Sequence, residues 1–118
     1  MVYKAQGRGR RKLKVAYTNV NGLITVIGEL NEFLKIAEPD IMGLTEIKLD
    51  KSITCLNIGN GKYNIWKKLR SNKQGGGVMF LIKKDLQVSQ VIYGKGNVEL
   101  IKVGIQSENK AMKNFTVI

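Results

Sequence analysis

Glu38-Pro39-Asp40-Ile41-Met42-Gly43-Leu44-Thr45-Glu46-Ile47-Lys48-Leu49 is the stretch on which the fold turns. It opens by ending a helix, because the residue before a proline is pushed out of the α region. Asp40 to Glu46 then forms a short apolar run, the pattern of a central strand covered on both faces. Upstream, Leu23, Val26, Ile27, Leu30, Phe33, Leu34 and Ala37 recur at helical spacing and share one face, with Glu29, Glu32 and Lys35 on the other. Gly28 sits inside this helix at a cost of ~1 kcal/mol relative to alanine. Further upstream, Leu13, Val15 and Tyr17 alternate with Lys14, Ala16 and Thr18 as in a strand, which runs into the turn Asn19-Val20-Asn21-Gly22. Strand, helix and strand in succession make a βαβ unit, whose crossover is right-handed and whose two strands are parallel. The fold class is therefore α/β.

Downstream, residues 47–61 make a long connection ending in Gly59-Asn60-Gly61. Strands are expected over Tyr63–Lys68, Val78–Ile82, Leu86–Tyr93 and Val98–Ile105, with a basic, Gly-rich loop over 69–76. Turns fall at Lys84-Asp85 and at Gly94-Lys95-Gly96-Asn97, and a last strand begins at Asn114 and is cut off at Ile118. No internal repeat is visible. Residues 1–12, with Gly7-Arg8-Gly9-Arg10-Arg11, read as a disordered basic arm, leaving 13–118 as one domain.

The 118 residues carry 20 basic and 9 acidic side chains, a net charge of +11, and the excess is unevenly placed. Lys4, Arg8, Arg10, Arg11, Lys12 and Lys14 crowd the start with no acid among them. Between Asp50 and Asp85 stand Lys51, Lys62, Lys67, Lys68, Arg70, Lys73, Lys83 and Lys84, again with no acid. One-signed stretches of this kind favour a polyanion, because neutralising phosphates releases condensed counterions; a solvated basic surface without a specific partner is the plain alternative. The chain has no histidine, which excludes Ser-His-Asp and Cys-His nucleophilic machinery and His-based zinc sites from these residues. The lone Cys55 cannot form an internal disulfide and suits a reducing, intracellular compartment. No apolar run approaches the ~18 residues of a membrane span, and the charged start has no apolar signal region.

The chemistry-bearing positions lie at strand ends: Asn19 and Asn21 after the first strand, Glu46 after the second. If the two strands are parallel neighbours, these groups meet at the sheet edge where open α/β sheets hold ligands, a small multiple of ~4.8 Å apart. A carboxylate there suits a hard divalent cation, and an amide suits a phosphate or water oxygen. The competing reading is ordinary turn chemistry for the asparagines and a solvated Glu46.

These same residues carry a resemblance. Leu13 through Leu23 resembles the opening of endonuclease/exonuclease/phosphatase domains, an apolar strand followed by a W-N-x-x-G-L type turn. Glu38 through Leu49 resembles that family's P-D-I-x-x-x-x-E-T-x-L block, and Arg70 through Ile82, with Gly75-Gly76-Gly77-Val78, resembles the segment seen in members fused to reverse transcriptases of non-LTR (LINE-like) retrotransposons. The blocks stand in the family's order over residues 13–83. The resemblance implies the N-terminal half of a four-layer α/β sandwich of the DNase I-like type. It implies a Mg2+-dependent DNA endonuclease in which Asn19 and Glu46 are catalytic, Glu46 also holding the metal. Asn21, Lys48, Lys67, Lys68, Arg70 and Lys73 would face nucleic acid; Asn21 stands where related enzymes often have a metal-side aspartate.

The family's later tyrosine, G-D-x-N block and terminal Asp-His pair have no counterpart here. The expected partners are thus DNA and a missing C-terminal half, the expected compartment is nuclear, and the activity of this chain alone is expected near background. About half the family domain would leave the inner face of one sheet bare. Two alternatives stay open: a non-catalytic basic nucleic-acid-binding module, with Tyr63 and Trp66 stacking on bases among Lys62, Lys67 and Lys68, and a pseudogene-like relic.

Overall fold

The computed structural model describes residues 2–6, 12–49, 57–70, 76–106 and 112–118. Strands β1 (Val2–Gln6), β2 (Leu13–Asn19), β3 (Ile41–Thr45), β4 (Tyr63–Lys68) and β5 (Val78–Lys83) form a sheet in the order β1-β2-β3-β5-β4. Strands β6 (Gln87–Tyr93), β7 (Ile101–Gln106) and β8 (Met112–Val117) form a second sheet in sequence order. Helix α1 (Leu23–Ala37) joins β2 to β3, which pair in parallel, so the βαβ unit is present as the sequence indicates. The helix stops where expected: Glu38 takes a left-handed conformation, its N–H donates to the Leu34 carbonyl, and Pro39 follows.

Alternation along the strands sends side chains to two separate cores. On one face of the large sheet, Ala16, Met42, Leu44, Met79 and Leu81 pack with Leu23, Leu30 and Leu34 of α1. On the other, Val15, Ile41, Val78, Phe80 and Ile82 pack with Ile101, Val103, Ile105, Phe115 and Val117 of the small sheet. β3 and β5 thus read as continuous apolar runs, because each face has its own cover.

Three expectations need correction. Val2–Gln6 is not a disordered arm but an edge strand, antiparallel to β2 with Val2 opposite Tyr17. The Gly- and Arg-rich stretch after it hid it, since the pairing depends on the free edge of β2 and not on local pattern; residues 1 and 7–11 lie outside the described residues. Among the described residues neither sheet has a bare inner face, because strands of both sheets are present and they close on each other. The face left open among the described residues is the outer one of the small sheet, where Ile92 and Met112 are exposed. Finally, β7 starts at Ile101 and not at Val98, because residues 94–100 fold into a turn closed by Gly94 N–H to the Leu100 carbonyl (2.8 Å).

Gly28 has no packing reason to be glycine: a Cβ there would meet nothing within 4 Å. Gly28→Ala is therefore expected to raise unfolding stability by about 1 kcal/mol through backbone entropy and helix propensity. Urea denaturation measures it; a loss of stability would mean that the helix turns at this position are not formed in solution.

Tyr63 closes the far end of the helix core. Its hydroxyl donates to the Pro39 carbonyl at 2.6 Å, and burial, with Asp40 and Glu38 nearby, pushes its pKa up to about 12.

Candidate functional site

Register aligns one row across the large sheet: Asn19 opposite Thr45, Thr45 opposite Val78, and Val78 opposite Lys68. At ~4.8 Å per strand, Asn19 and Lys68 bracket a rim ~14 Å wide. Glu46 follows Thr45 directly, so the parallel pairing of β2 and β3 brings Asn19 and Glu46 to the same edge.

Backbone bonds fix the rim beyond the strands. Val20 N–H donates to the Thr45 carbonyl (3.1 Å), Gly22 N–H to Glu46 (2.8 Å) and Leu23 N–H to Ile47 (2.9 Å). The helix start is thus anchored by the continuation of β3; no side chain caps it. From the other side, Ile47 N–H donates to the Gly77 carbonyl (3.3 Å) and Lys48 N–H to Gly76 (2.8 Å). Residues 46–48 are gripped between two neighbours.

That grip sustains an unusual backbone. Asn21, Glu46 and Lys48 have φ of 46°, 53° and 50°. Left-handed conformation costs about 1–2 kcal/mol for an ordinary L-residue; asparagine tolerates it readily, whereas Glu46 and Lys48 adopt it at that cost. Observed strain of this kind is a pointer to function, because it persists only where surrounding structure enforces it. It turns Glu46 out of the alternation that buries Ile47 and Leu49 and leaves its side chain half-exposed at the rim.

The polar side chains form a short relay. Asn19 Oδ1 accepts the Asn21 N–H (3.0 Å), and Asn21 Oδ1 accepts a hydrogen bond from Lys48 Nζ (2.6 Å). Arg70 donates through Nε (3.3 Å) and Nη2 (3.2 Å) to the two carboxylate oxygens of Glu99. Glu99 Oε1 also accepts the Gly77 N–H at 2.5 Å. Hydrogen bonds from Arg70 and Gly77 hold the Glu99 carboxyl below the usual carboxylate range. Arg70 is shifted up, by its bonds to Glu99 first and by the charge of Glu46 last.

Glu99 is the rim residue that sequence reading missed. It stands between Asp85 and Glu108 with no motif around it, and it looked like one residue of a strand beginning at Val98. Only the turn over 94–100 delivers it to the rim.

The residues expected to face nucleic acid separate. Asn21, Lys48 and Arg70 are on the rim with the partners given above. Lys68 donates from Nζ to the Gly94 carbonyl. Lys67 is exposed and pairs across from Met79, on the helix side of the sheet. Lys73 and Cys55 lie outside the described residues. Tyr63 and Trp66 do not form a stacking platform, because Tyr63 is buried in the helix core and Trp66 packs into the inter-sheet core.

Among the described residues no three His, Cys, Asp or Glu side chains cluster to hold a metal. Magnesium, however, commonly uses one or two carboxylates and fills its octahedron with water and phosphate oxygens. A single half-exposed Glu46, at the same sheet edge as Asn19, could supply one carboxylate oxygen to such an ion and is too sparse to enclose it. Among the described residues no helix is long and apolar enough to cross a membrane.

No family model matches the sequence, and no curated protein does. Solved structures do. A 3′ phosphatase, NExo from Neisseria bound to product DNA hairpin, is 19% identical with a TM-score of 0.60, over 79% of this chain and 37% of that one. The APE2 catalytic domain of Xenopus laevis is 17% identical with a TM-score of 0.59, over 86% and 42%. An AP endonuclease from Archaeoglobus fulgidus is 21% identical with a TM-score of 0.55, over 79% and 37%. The matched region thus spans less than half the length of each of these proteins. At such identities the likeness establishes architecture alone, and the architecture is part of a DNase I-like α/β sandwich.

Proposed function

We propose that this chain is the N-terminal part of a Mg2+-dependent DNA endonuclease domain of the kind encoded by non-LTR retrotransposons, acting on DNA in the nucleus. One observation carries the reading: parallel β2 and β3 end at one rim, with Asn19 opposite Thr45 and Glu46 next in line. Similar structures include a 3′ phosphatase bound to product DNA hairpin and an AP endonuclease, which supports a phosphate ester of DNA as the substrate class.

Glu46 would supply a carboxylate oxygen to the metal, and Asn19 would orient the scissile phosphate. Lys48, held by Asn21, would set a positive charge along the nucleic-acid backbone. When bound, the cation would neutralise charge developing on the phosphate and lower the pKa of a water. The chain contains no histidine, so an imidazole for proton transfer would come from outside it. A completing C-terminal half is accordingly the second proposed partner, and activity of the chain alone is expected near background.

The test is nicking of supercoiled plasmid with and without magnesium, using the chain joined to the sequence that follows Ile118. Glu46→Ala in that protein is expected to slow nicking by about 100-fold or more, the scale of losing a group that acts in concert with others. Equal nicking by the variant would overturn the role of Glu46. DNA binding should also weaken steeply with salt.

A further inference from the structure

The turn over 94–100 ties the small sheet to the rim, and there Glu99 engages the large sheet. We infer that Glu99 is a positioning residue that holds the Glu46–Lys48 segment in its strained conformation by locking the Gly76-Gly77 turn and Arg70 against it. The role of that segment as a metal-holding edge rests on the function proposed above; the mechanical role of Glu99 does not.

The linkage can be followed atom by atom. Glu99 Oε1 takes the Gly77 N–H (2.5 Å), which fixes the turn from one side. The carbonyls of that turn, Gly76 and Gly77, accept the N–H groups of Lys48 (2.8 Å) and Ile47 (3.3 Å). Those two amides bracket the left-handed backbone that presents Glu46. The same carboxylate binds both Nε and Nη2 of Arg70, which fixes the guanidinium beside the turn. A second tie acts in parallel: Lys68 at the end of β4 donates to the Gly94 carbonyl, at the start of the same turn. The turn is therefore clamped to the rim at both of its ends.

The chemistry of Glu99 argues against a ligand role of its own. Its two oxygens already accept three hydrogen bonds, two of them from a guanidinium, and its charge is balanced by Arg70. Both charged groups lie directly over the turn: a Cβ on Gly76 would meet Glu99 Oε1 and lie 2.5 Å from Arg70 Nη2. A carboxylate fully engaged at a closely packed turn orients its neighbours; it does not wait for an ion.

The test uses the 118-residue chain by nuclear magnetic resonance, and needs no catalytic activity. Glu99→Ala is expected to accelerate amide exchange of Ile47 and Lys48 by about tenfold more than that of amides at the centre of β5, because local opening is then uncoupled from global unfolding. Glu99→Gln, which keeps the shape and loses the charge, should fall between; it also serves if the alanine variant does not fold. Mn2+, as a paramagnetic stand-in for magnesium, is expected to broaden the amides of 46–48 in the parent chain and to bind about tenfold more weakly in Glu99→Ala. Exchange at Ile47 and Lys48 that stays unchanged, or rises only in step with β5, overturns the positioning role. Absence of Mn2+ broadening in the parent chain would count against the metal reading of Glu46, while the exchange data still decide Glu99.

Discussion

Phe80→Ala is expected to cost about 3–5 kcal/mol of folding stability, the usual range for removing a fully buried phenylalanine. Phe80 is wholly inaccessible and sits in the inter-sheet core. Pairing registers set Tyr17, Gly43, Phe80 and Trp66 in one row across the large sheet, all on the inner face. The Tyr17 and Phe80 rings meet edge-on, with centroids 6.4 Å apart and planes at 64°. Gly43 lies between them because a Cβ there would stand 2.5 Å from the Tyr17 ring. Deleting the Phe80 ring removes the edge contact and leaves a cavity that the glycine beneath cannot fill. Domains of this size have about 5–15 kcal/mol in total, so the variant would retain a small margin at best. Urea titration followed by tryptophan fluorescence of Trp66 reads the effect directly, as a fall in midpoint at unchanged slope. Phe80→Leu, which keeps most of the volume, should cost under about 1.5 kcal/mol. Equal midpoints for Phe80→Ala and the parent would mean that the two sheets do not pack as described.

The parts of the fold legible in the sequence are those written in local periodicity. Helix α1 spans the expected residues because apolar spacing defines its face and Pro39 ends it. The runs of β3 and β5 could be read as central strands because both of their faces are apolar. What stayed hidden depends on partners remote in sequence. Val2–Gln6 becomes a strand by borrowing the free edge of β2, and the Gly- and Arg-rich residues 7–12 that follow it argued the other way. Which half of the sandwich would be bare depended on how strands divide between sheets, and no local pattern encodes that. The site shows the same division. Asn19 and Glu46 were readable because a parallel βαβ unit carries both to one edge. Glu99 was not, since an isolated acid acquires meaning only once a turn sets it against Arg70 and Gly77. Trp66 and Tyr63 misled in the opposite sense: the lysines beside them suggested a stacking surface, while strand alternation sent each ring into a different core.

Gly77→Ala is the substitution expected to damage the rim most, and Gly96→Ala separates its causes. Both glycines have positive φ, +89° at Gly77 and +59° at Gly96. A methyl group added at Gly96 would have nothing within 4 Å of it, so the alanine variant there carries only the backbone penalty of about 1–2 kcal/mol. At Gly77 the same methyl would stand 2.8 Å from Cγ1 of Ile47 and 3.3 Å from the backbone oxygen of Lys68. Ile47 is completely buried and the Lys68 carbonyl belongs to the end of β4, so neither can yield without moving the sheet edge. Overpacking of this kind adds about 1–3 kcal/mol. The φ of Gly77 is also further from the left-handed well that an alanine can reach. Gly77→Ala is therefore expected to lose about 2–4 kcal/mol, clearly more than Gly96→Ala, by urea denaturation. The extra loss should appear together with faster amide exchange at Ile47 and Lys48, because displacing Gly77 breaks its bonds to Ile47 and Glu99 at once. If the two variants were equally stable, the rim would not be the tightly packed junction from which the reading of Glu46 begins.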